Sequence, residues 1–170
     1  MTSQTPPPGT CRIGHGYDLH RLEFEQGGAG LMVGGVLLAA PVRAMAHSDG
    51  DVLLHALTDA LLGALGEPDI GQLFPDTDPA NKGRESWDFV RAAVERVRAR
   101  GYAVGNVDGT VVLQSPKLSP LKDAIRECVA GLLDVRVDQV NIKGKTGEGV
   151  GPVGEGKAIE AHVVVLLRAV

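Results

Sequence analysis

Pro68, Pro75 and Pro79, with glycines and aspartates set between them, deny residues 66–83 a regular element. In a compact domain a loop of that length is either disordered or functional. Ile70 and Phe74 alternate with the loop's aspartates and offer apolar anchors, which favours a positioned, functional loop. The rest of the chain must then supply a scaffold that holds it.

That scaffold reads as mixed α and β without repeats. Residues 11–19 and the 31–39 region carry short apolar runs on either side of a Gly-rich stretch at 27–30, which predicts paired strands and a loop. From Asp49 to Leu65, Val52, Leu53, His55, Ala56, Asp59, Ala60 and Gly63 recur at helical spacing, and Ser48 with Asp51 forms an S-x-x-D cap at the start. Residues 86–100 predict an amphipathic helix with Trp87, Val90, Ala93, Val94 and Val97 on one face, ended by Gly101. A strand over 102–114, a helix over 120–133 and strands over 137–143 and 158–167 complete the expectation. Residues 1–10 are Pro-rich and polar and are expected to form a disordered leader before one domain over 11–170.

Composition removes several function classes. A chain of 170 residues, 44% hydrophobic, suits one globular domain and leaves no room for a second catalytic one. The net charge of -4 and the even mixture of charged residues give no basic stripe for a nucleic-acid backbone. No apolar run approaches the roughly 20 residues that span a bilayer, and no signal-peptide pattern opens the sequence, so a cytoplasmic protein is expected. Cys11 and Cys128 form no CxxC pair and are expected as buried thiols, not as a disulfide or a thiolate metal site.

The chemistry concentrates in two segments. In Gly14-His15-Gly16-Tyr17-Asp18-Leu19-His20 an extended strand would project Asp18 and His20 to the same side, where they can share one metal ion or simply form a salt bridge at a strand end. In Ala46-His47-Ser48-Asp49-Gly50-Asp51 and the helix after it, His55 and Asp59 lie one turn apart, so Asp59 could orient a ligand imidazole. Asp18, His20 and His55 together make a carboxylate and two imidazoles, a donor set suited to a catalytic zinc ion with one position open. The competing reading is a core His55 satisfied by Asp59 alone. His47, beside a capping Ser48 at a helix N-terminus, is a candidate anion contact. Gly144-Lys145-Thr146 is not a P-loop, because Gln139 stands where that pattern needs Gly. His15 and His162 acquire no role.

Asp18-x-His20, the His47-Ser48-Asp49-Gly50-Asp51 block with His55, and Asp69-Ile70-Gly71 followed by Phe74-Pro75-Asp76-Thr77-Asp78 resemble, in order and near-spacing, the 2-C-methyl-D-erythritol 2,4-cyclodiphosphate synthase family. The resemblance implies an α+β fold, a mixed β-sheet with helices packed on one face, in a homotrimer with active sites at subunit interfaces. It implies zinc on Asp18, His20 and His55, and magnesium or manganese on Glu148, entering with a cytidine diphosphate substrate. Substrate contacts are implied at Asp18, Leu19, His20, His47, Ser48, Asp69, Ile70, Gly71, and Phe74 to Asp78 with Pro75, Asp76 and Thr77. They continue at Gln114, Ser115, Pro116, Lys117 and Leu118, contributed by a neighbouring subunit, and at Lys145, Thr146, Gly147 and Glu148. His47, Lys117, Thr146 and Glu148 are the implied catalytic residues. Two departures stand out from the family pattern: a shorter stretch after Glu148, and Val153 in place of an Arg before Gly154-Glu155-Gly156. They put in doubt any ligand pocket the family builds there along the trimer axis.

Overall fold

The computed structural model describes residues 6–170 except Ala29, Asp76, Pro79, Ala80 and Lys82. Alternation in the long strands builds the sheet. Strands β1 (Cys11–Phe24), β4 (Val42–Ala44), β5 (Tyr102–Val112), β6 (Val140–Lys145) and β7 (Ala158–Ala169) form one five-stranded sheet in the order β4-β1-β7-β5-β6. The β1/β4, β1/β7 and β5/β7 pairs are antiparallel and β5/β6 is parallel, so the sheet is mixed. In β7, Ile159, Ala161, Val163, Val165 and Leu167 are buried, while His162 and Val164 between them are exposed. One face of the sheet thus carries the core. The helices that cover it are α1 (Val52–Leu65), α3 (Ser86–Ala99) and α4 (Lys122–Leu133), with the short α2 (Ile70–Leu73) and α5 (Gly151–Gly154) beyond them. None of the described helices is long and apolar enough to cross a membrane.

The closest layer contact is between α1 and β1. A Cβ at Gly14 would overlap the Ala60 carbonyl oxygen, and one at Gly16 the Ala56 carbonyl oxygen. Two glycines on the strand and a row of alanines on the helix let the backbones touch, which is why a helix residue can meet strand residues at short range. Arg12 Nε closes the far end by donating to the Ala64 carbonyl near the last turn of α1.

Several elements differ from the sequence expectation. The 31–39 segment does not pair with β1. It folds on itself as a hairpin of β2 (Leu31–Val33) and β3 (Val36–Leu38), because Gly34 and Gly35 take positive φ of 62° and 77° at its tip. The cap of α1 is Asp51, not Ser48: its carboxylate accepts from Leu53 N at 3.1 Å and Leu54 N at 3.0 Å. The same carboxylate accepts from Gly34 N at 2.8 Å and Gly35 N at 2.6 Å, so it pins the hairpin tip to the helix start. Burial pushes the Asp51 carboxyl up, and these N–H donors oppose that.

Among the described residues of 66–83, Ile70–Leu73 do form a regular turn, α2, because Asp69 caps it by accepting from Gln72 N at 2.9 Å. Trp87 is half-exposed under the Arg91 guanidinium, and Phe89 takes the buried place on α3. Cys11 is exposed, because its position on β1 points away from the helices, and Cys128 is half-buried. Of the expected leader, residues 1–5 lie outside the described residues. Pro7 to Thr10 form a turn, and Thr10 O accepts from Ala169 N at 2.9 Å.

Candidate active site

Asp18 and His20, two apart on β1, project to the helix-covered side, and the glycine-alanine contact brings His55 of α1 down onto them. Asp18 Oδ2 lies 3.0 Å from His20 Nε2 and 3.0 Å from His55 Nδ1, and the two nitrogens are 3.3 Å apart. Among the described residues these three form a group able to hold a metal ion. Tetrahedral zinc with bonds of about 2.0–2.1 Å has ligand-to-ligand edges of about 3.3 Å, and the observed triangle is close to that size. Three ligands are what a catalytic site with an open position presents. The donor set therefore fits a divalent cation.

The electrostatics agree. Burial works to raise the Asp18 carboxyl, yet hydrogen bonds and charge from His20 and His55 outweigh it and hold it well below the usual carboxylate range. Burial works to lower His55, but Asp18 prevails and raises it. Asp59 does not orient His55: its Oδ1 accepts from Ile70 N at 2.8 Å, and it anchors the start of α2 instead. Burial raises the Asp59 carboxyl. The far nitrogen of His55, Nε2, faces hydroxyls: Ser86 Oγ at 2.9 Å and Ser48 Oγ at 3.1 Å.

Above the three groups opens a cavity of about 310 Å³, lined by Asp18, His20, His55, His47, Ser48, Ile70, Gly71, Phe74 and, beyond the sequence candidates, Met45, Ala46, Asn81 and Phe89. The loop at 66–83 forms its wall. Phe74 packs on Phe89 with ring centroids 4.9 Å apart, and the Arg84 guanidinium lies 5.2 Å from the Phe74 centroid and 5.1 Å from that of Phe89. Asn81 Nδ2 donates to Pro75 O at 3.0 Å and braces the loop. Asn81, Ser86 and Phe89 escape sequence reasoning because each is isolated from the charged motifs; only the amphipathic spacing of α3 could have pointed to Phe89.

Other sequence candidates fall elsewhere. The half-exposed Leu19 lies beside Arg21 and Lys157, outside this cavity. The Asp69 carboxylate is spent on capping α2. Thr77 is exposed, Asp78 N donates to Pro75 O at 3.0 Å, and Asp76 lies outside the described residues. The anion contact expected at the α1 N-terminus does not arise from free N–H groups, because Asp51 occupies them; His47 and Ser48 reach the cavity as side chains instead.

Gln114 to Leu118 and Lys145 to Glu148 leave the ends of the parallel neighbours β5 and β6, joined where Leu113 N donates to Lys145 O at 2.9 Å. They lie beside each other, with Leu118 buried against Gly144. Neither segment lines the cavity. The Ser115–Pro116 peptide is cis, Lys117 is exposed, and Gln114 Oε1 is buried with no hydrogen-bond partner among the described residues. Thr146 Oγ1 donates to Glu148 Oε1 at 2.6 Å, and Glu148 sits at a positive φ of 51°. Val153, in the place noted for the missing Arg, is buried in α5.

The comparisons with known proteins point one way. The model of the YgbB family matches residues 11–168. The chloroplastic 2-C-methyl-D-erythritol 2,4-cyclodiphosphate synthase of Oryza sativa subsp. japonica is 51% identical over 162 residues, which are 95% of this chain and 72% of that protein. The synthase of Rhodopirellula baltica is 50% identical over 95% of this chain and 96% of its own length. Among solved structures, the Plasmodium falciparum IspF–CDP complex superposes with a TM-score of 0.83 at 38% identity, covering 95% of this chain and 97% of that one. A 2C-methyl-D-erythritol-2,4-cyclodiphosphate synthase in a CDP-bound form gives 0.84 at 44% identity over 92% of this chain and 99% of its own. With its motifs, its fold and nearly its whole length matched, this chain belongs to the YgbB family, the family of the 2-C-methyl-D-erythritol 2,4-cyclodiphosphate synthases.

Proposed function

We propose that this chain converts 4-diphosphocytidyl-2-C-methyl-D-erythritol 2-phosphate to 2-C-methyl-D-erythritol 2,4-cyclodiphosphate and CMP, a phosphorus–oxygen lyase step of non-mevalonate isoprenoid precursor synthesis. The observation that carries the reading is the convergence of Asp18, His20 and His55 on one point at the floor of a cavity. The substrate's 2-phosphate oxygen bonds to its own β-phosphorus, and the bond from that phosphorus to the oxygen shared with the α-phosphate breaks, leaving CMP. Two anions must approach, and charge spreads over the equatorial oxygens as they do. When bound, zinc at Asp18, His20 and His55 and magnesium or manganese at Glu148 supply the positive charge that offsets this repulsion.

The chain's own residues hold the reactants. His47 and Ser48 reach the cavity from the segment before α1 and are assigned to the sugar-phosphate end. Ile70, Gly71 and Phe74 confine the methylerythritol chain so that nucleophile and phosphorus meet in line. Such positioning is worth roughly 7–11 kcal/mol in favourable intramolecular reactions. Lys117 adds a fixed charge at the nucleotide, and Thr146 holds the Glu148 carboxylate. No general base is needed, because a phosphate nucleophile is already ionised near neutral pH.

The nucleotide segments of one chain do not line its own metal cavity, which supports sites shared between copies in a cytoplasmic homotrimer. The sheet face opposite the helices fits that assembly: Ile13, Tyr17, Leu19 and Val164 are exposed on it at 71%, 45%, 43% and 43%. Phosphorus NMR of the products tests the reaction. The cyclic diphosphate with CMP is expected. Release of inorganic phosphate instead would make this a metal-dependent phosphohydrolase.

A further inference from the structure

The metal reading uses one nitrogen of His55 and leaves the other to be explained. Nε2 lies 2.9 Å from Ser86 Oγ, and Ser86 is fully buried at the first turn of α3. The Ser86 hydroxyl makes a short contact with Asp49 Oδ1, and Ser86 N donates to Asp49 Oδ2 at 3.2 Å. Asp49 thus caps α3 across 37 residues of sequence, where the N-cap residue Glu85 makes no side-chain cap of its own.

The direction of these bonds follows from donor chemistry. An ionised carboxylate only accepts, so the Ser86 hydroxyl donates to Asp49 and its oxygen accepts from His55 Nε2–H. A proton on Nε2 leaves the lone pair on Nδ1, and Nδ1 is the atom 3.0 Å from Asp18 Oδ2 and 3.3 Å from His20 Nε2. We propose that Ser86, backed by Asp49, is a positioning residue that fixes the tautomer and ring plane of His55 and so delivers Nδ1 to a divalent cation. Ser48 Oγ, 3.1 Å from the same Nε2, lines the cavity, whereas Ser86 does not. The orienting role therefore falls to Ser86, and Ser48 stays available to substrate. The inference rests on the metal-centre reading above.

Ser86→Ala removes only the hydroxyl and keeps the backbone N–H to Asp49, so a purely structural Ser86 would leave metal binding unchanged. Zinc affinity is measured by competition with a chromogenic chelator on wild type and variant, and NMR of the cadmium-loaded proteins reports which His55 nitrogen is bound. Zinc binding weaker by about 10–100-fold is expected, the usual effect of losing such an orienting partner. Cadmium spectra should also lose a single Nδ1-bound signal. Equal affinity with the same single signal would overturn the proposal. Should Ser86→Ala fail to fold, Ser86→Cys keeps a side chain of similar size with a weaker acceptor, and unchanged affinity there would overturn it equally. A wild-type chain that takes up no zinc would instead overturn the metal centre itself.

Discussion

Gly16 of β1 and Ala56 of α1 stand so close that any side chain on Gly16 would enter the Ala56 carbonyl oxygen. Because the obstacle is backbone, the helix must shift outward as a unit. Gly16→Ala should cost about 3 kcal/mol, the upper end for overpacking, seen as a lowered thermal midpoint. It should also withdraw His55 from Asp18 and His20 and weaken zinc binding. A variant with unchanged midpoint and zinc affinity would show that the contact does not set the site.

His55→Ala removes one of three donors and leaves the scaffold, since the side chain lies at the edge of the core. Zinc content and turnover are expected to fall together, turnover by about 100-fold or more, with the assembly state retained. Full turnover in a preparation shown by metal analysis to lack zinc would refute the assignment.

Glu148→Gln keeps shape and removes charge at an exposed position. Zinc should remain, while the magnesium concentration for half-maximal rate should rise about tenfold, the loss of roughly one charge-assisted contact. An unchanged magnesium titration would count against the role given to Glu148.

Proton and metal compete at Asp18 and His55. In the metal-free chain Asp18 is depressed, so its contribution to stability is present above its ordinary value of about 3.9 and fades as pH falls below that. His55 is raised, so its contribution is present below about 6.5 and is lost as pH rises through the raised value. The pair therefore stabilises the metal-free chain most between those limits. Metal needs a neutral His55, so the gain in thermal midpoint on adding zinc should grow with pH across the histidine range. A gain that is flat with pH would contradict this competition.

Arg84 lies against both Phe74 and Phe89, one on the loop and one on α3. Arg84→Ala should cost about 1 kcal/mol of loop order, read as a severalfold higher KM with kcat changed less. A lowered kcat with KM unchanged would assign Arg84 to the transition state instead.

Motif residues and element types were legible in the chain; the links between elements were not. Local strand and helix periodicities offered Asp18 with His20, and separately His55, as candidates, and the family resemblance joined the three. The S-x-x-D pattern misplaced the cap because two carboxylates and a serine compete at 48–51, and the winner is decided by the distant Gly34–Gly35 turn. Asp59 lies one helical turn from His55, yet the orphan N–H of Ile70 claims it. Ser86 gives no sign in the sequence, because its partners His55 and Asp49 are 31 and 37 residues away. Trp87 yields to Phe89 because the loop supplies Phe74 as the ring partner, a contact that helical spacing does not encode.

β7 lies between β1 and β5, although it is synthesised after both. A nascent chain emerging from the ribosome therefore carries two sheet halves with no strand between them until the last of these strands appears. Until then the first strand, which carries Asp18 and His20, has among the described strands only the three-residue β4 for a sheet neighbour. Assembly of the sheet is consequently a late, long-range event, and in this window unpaired edges are open to chaperones or to the wrong partner.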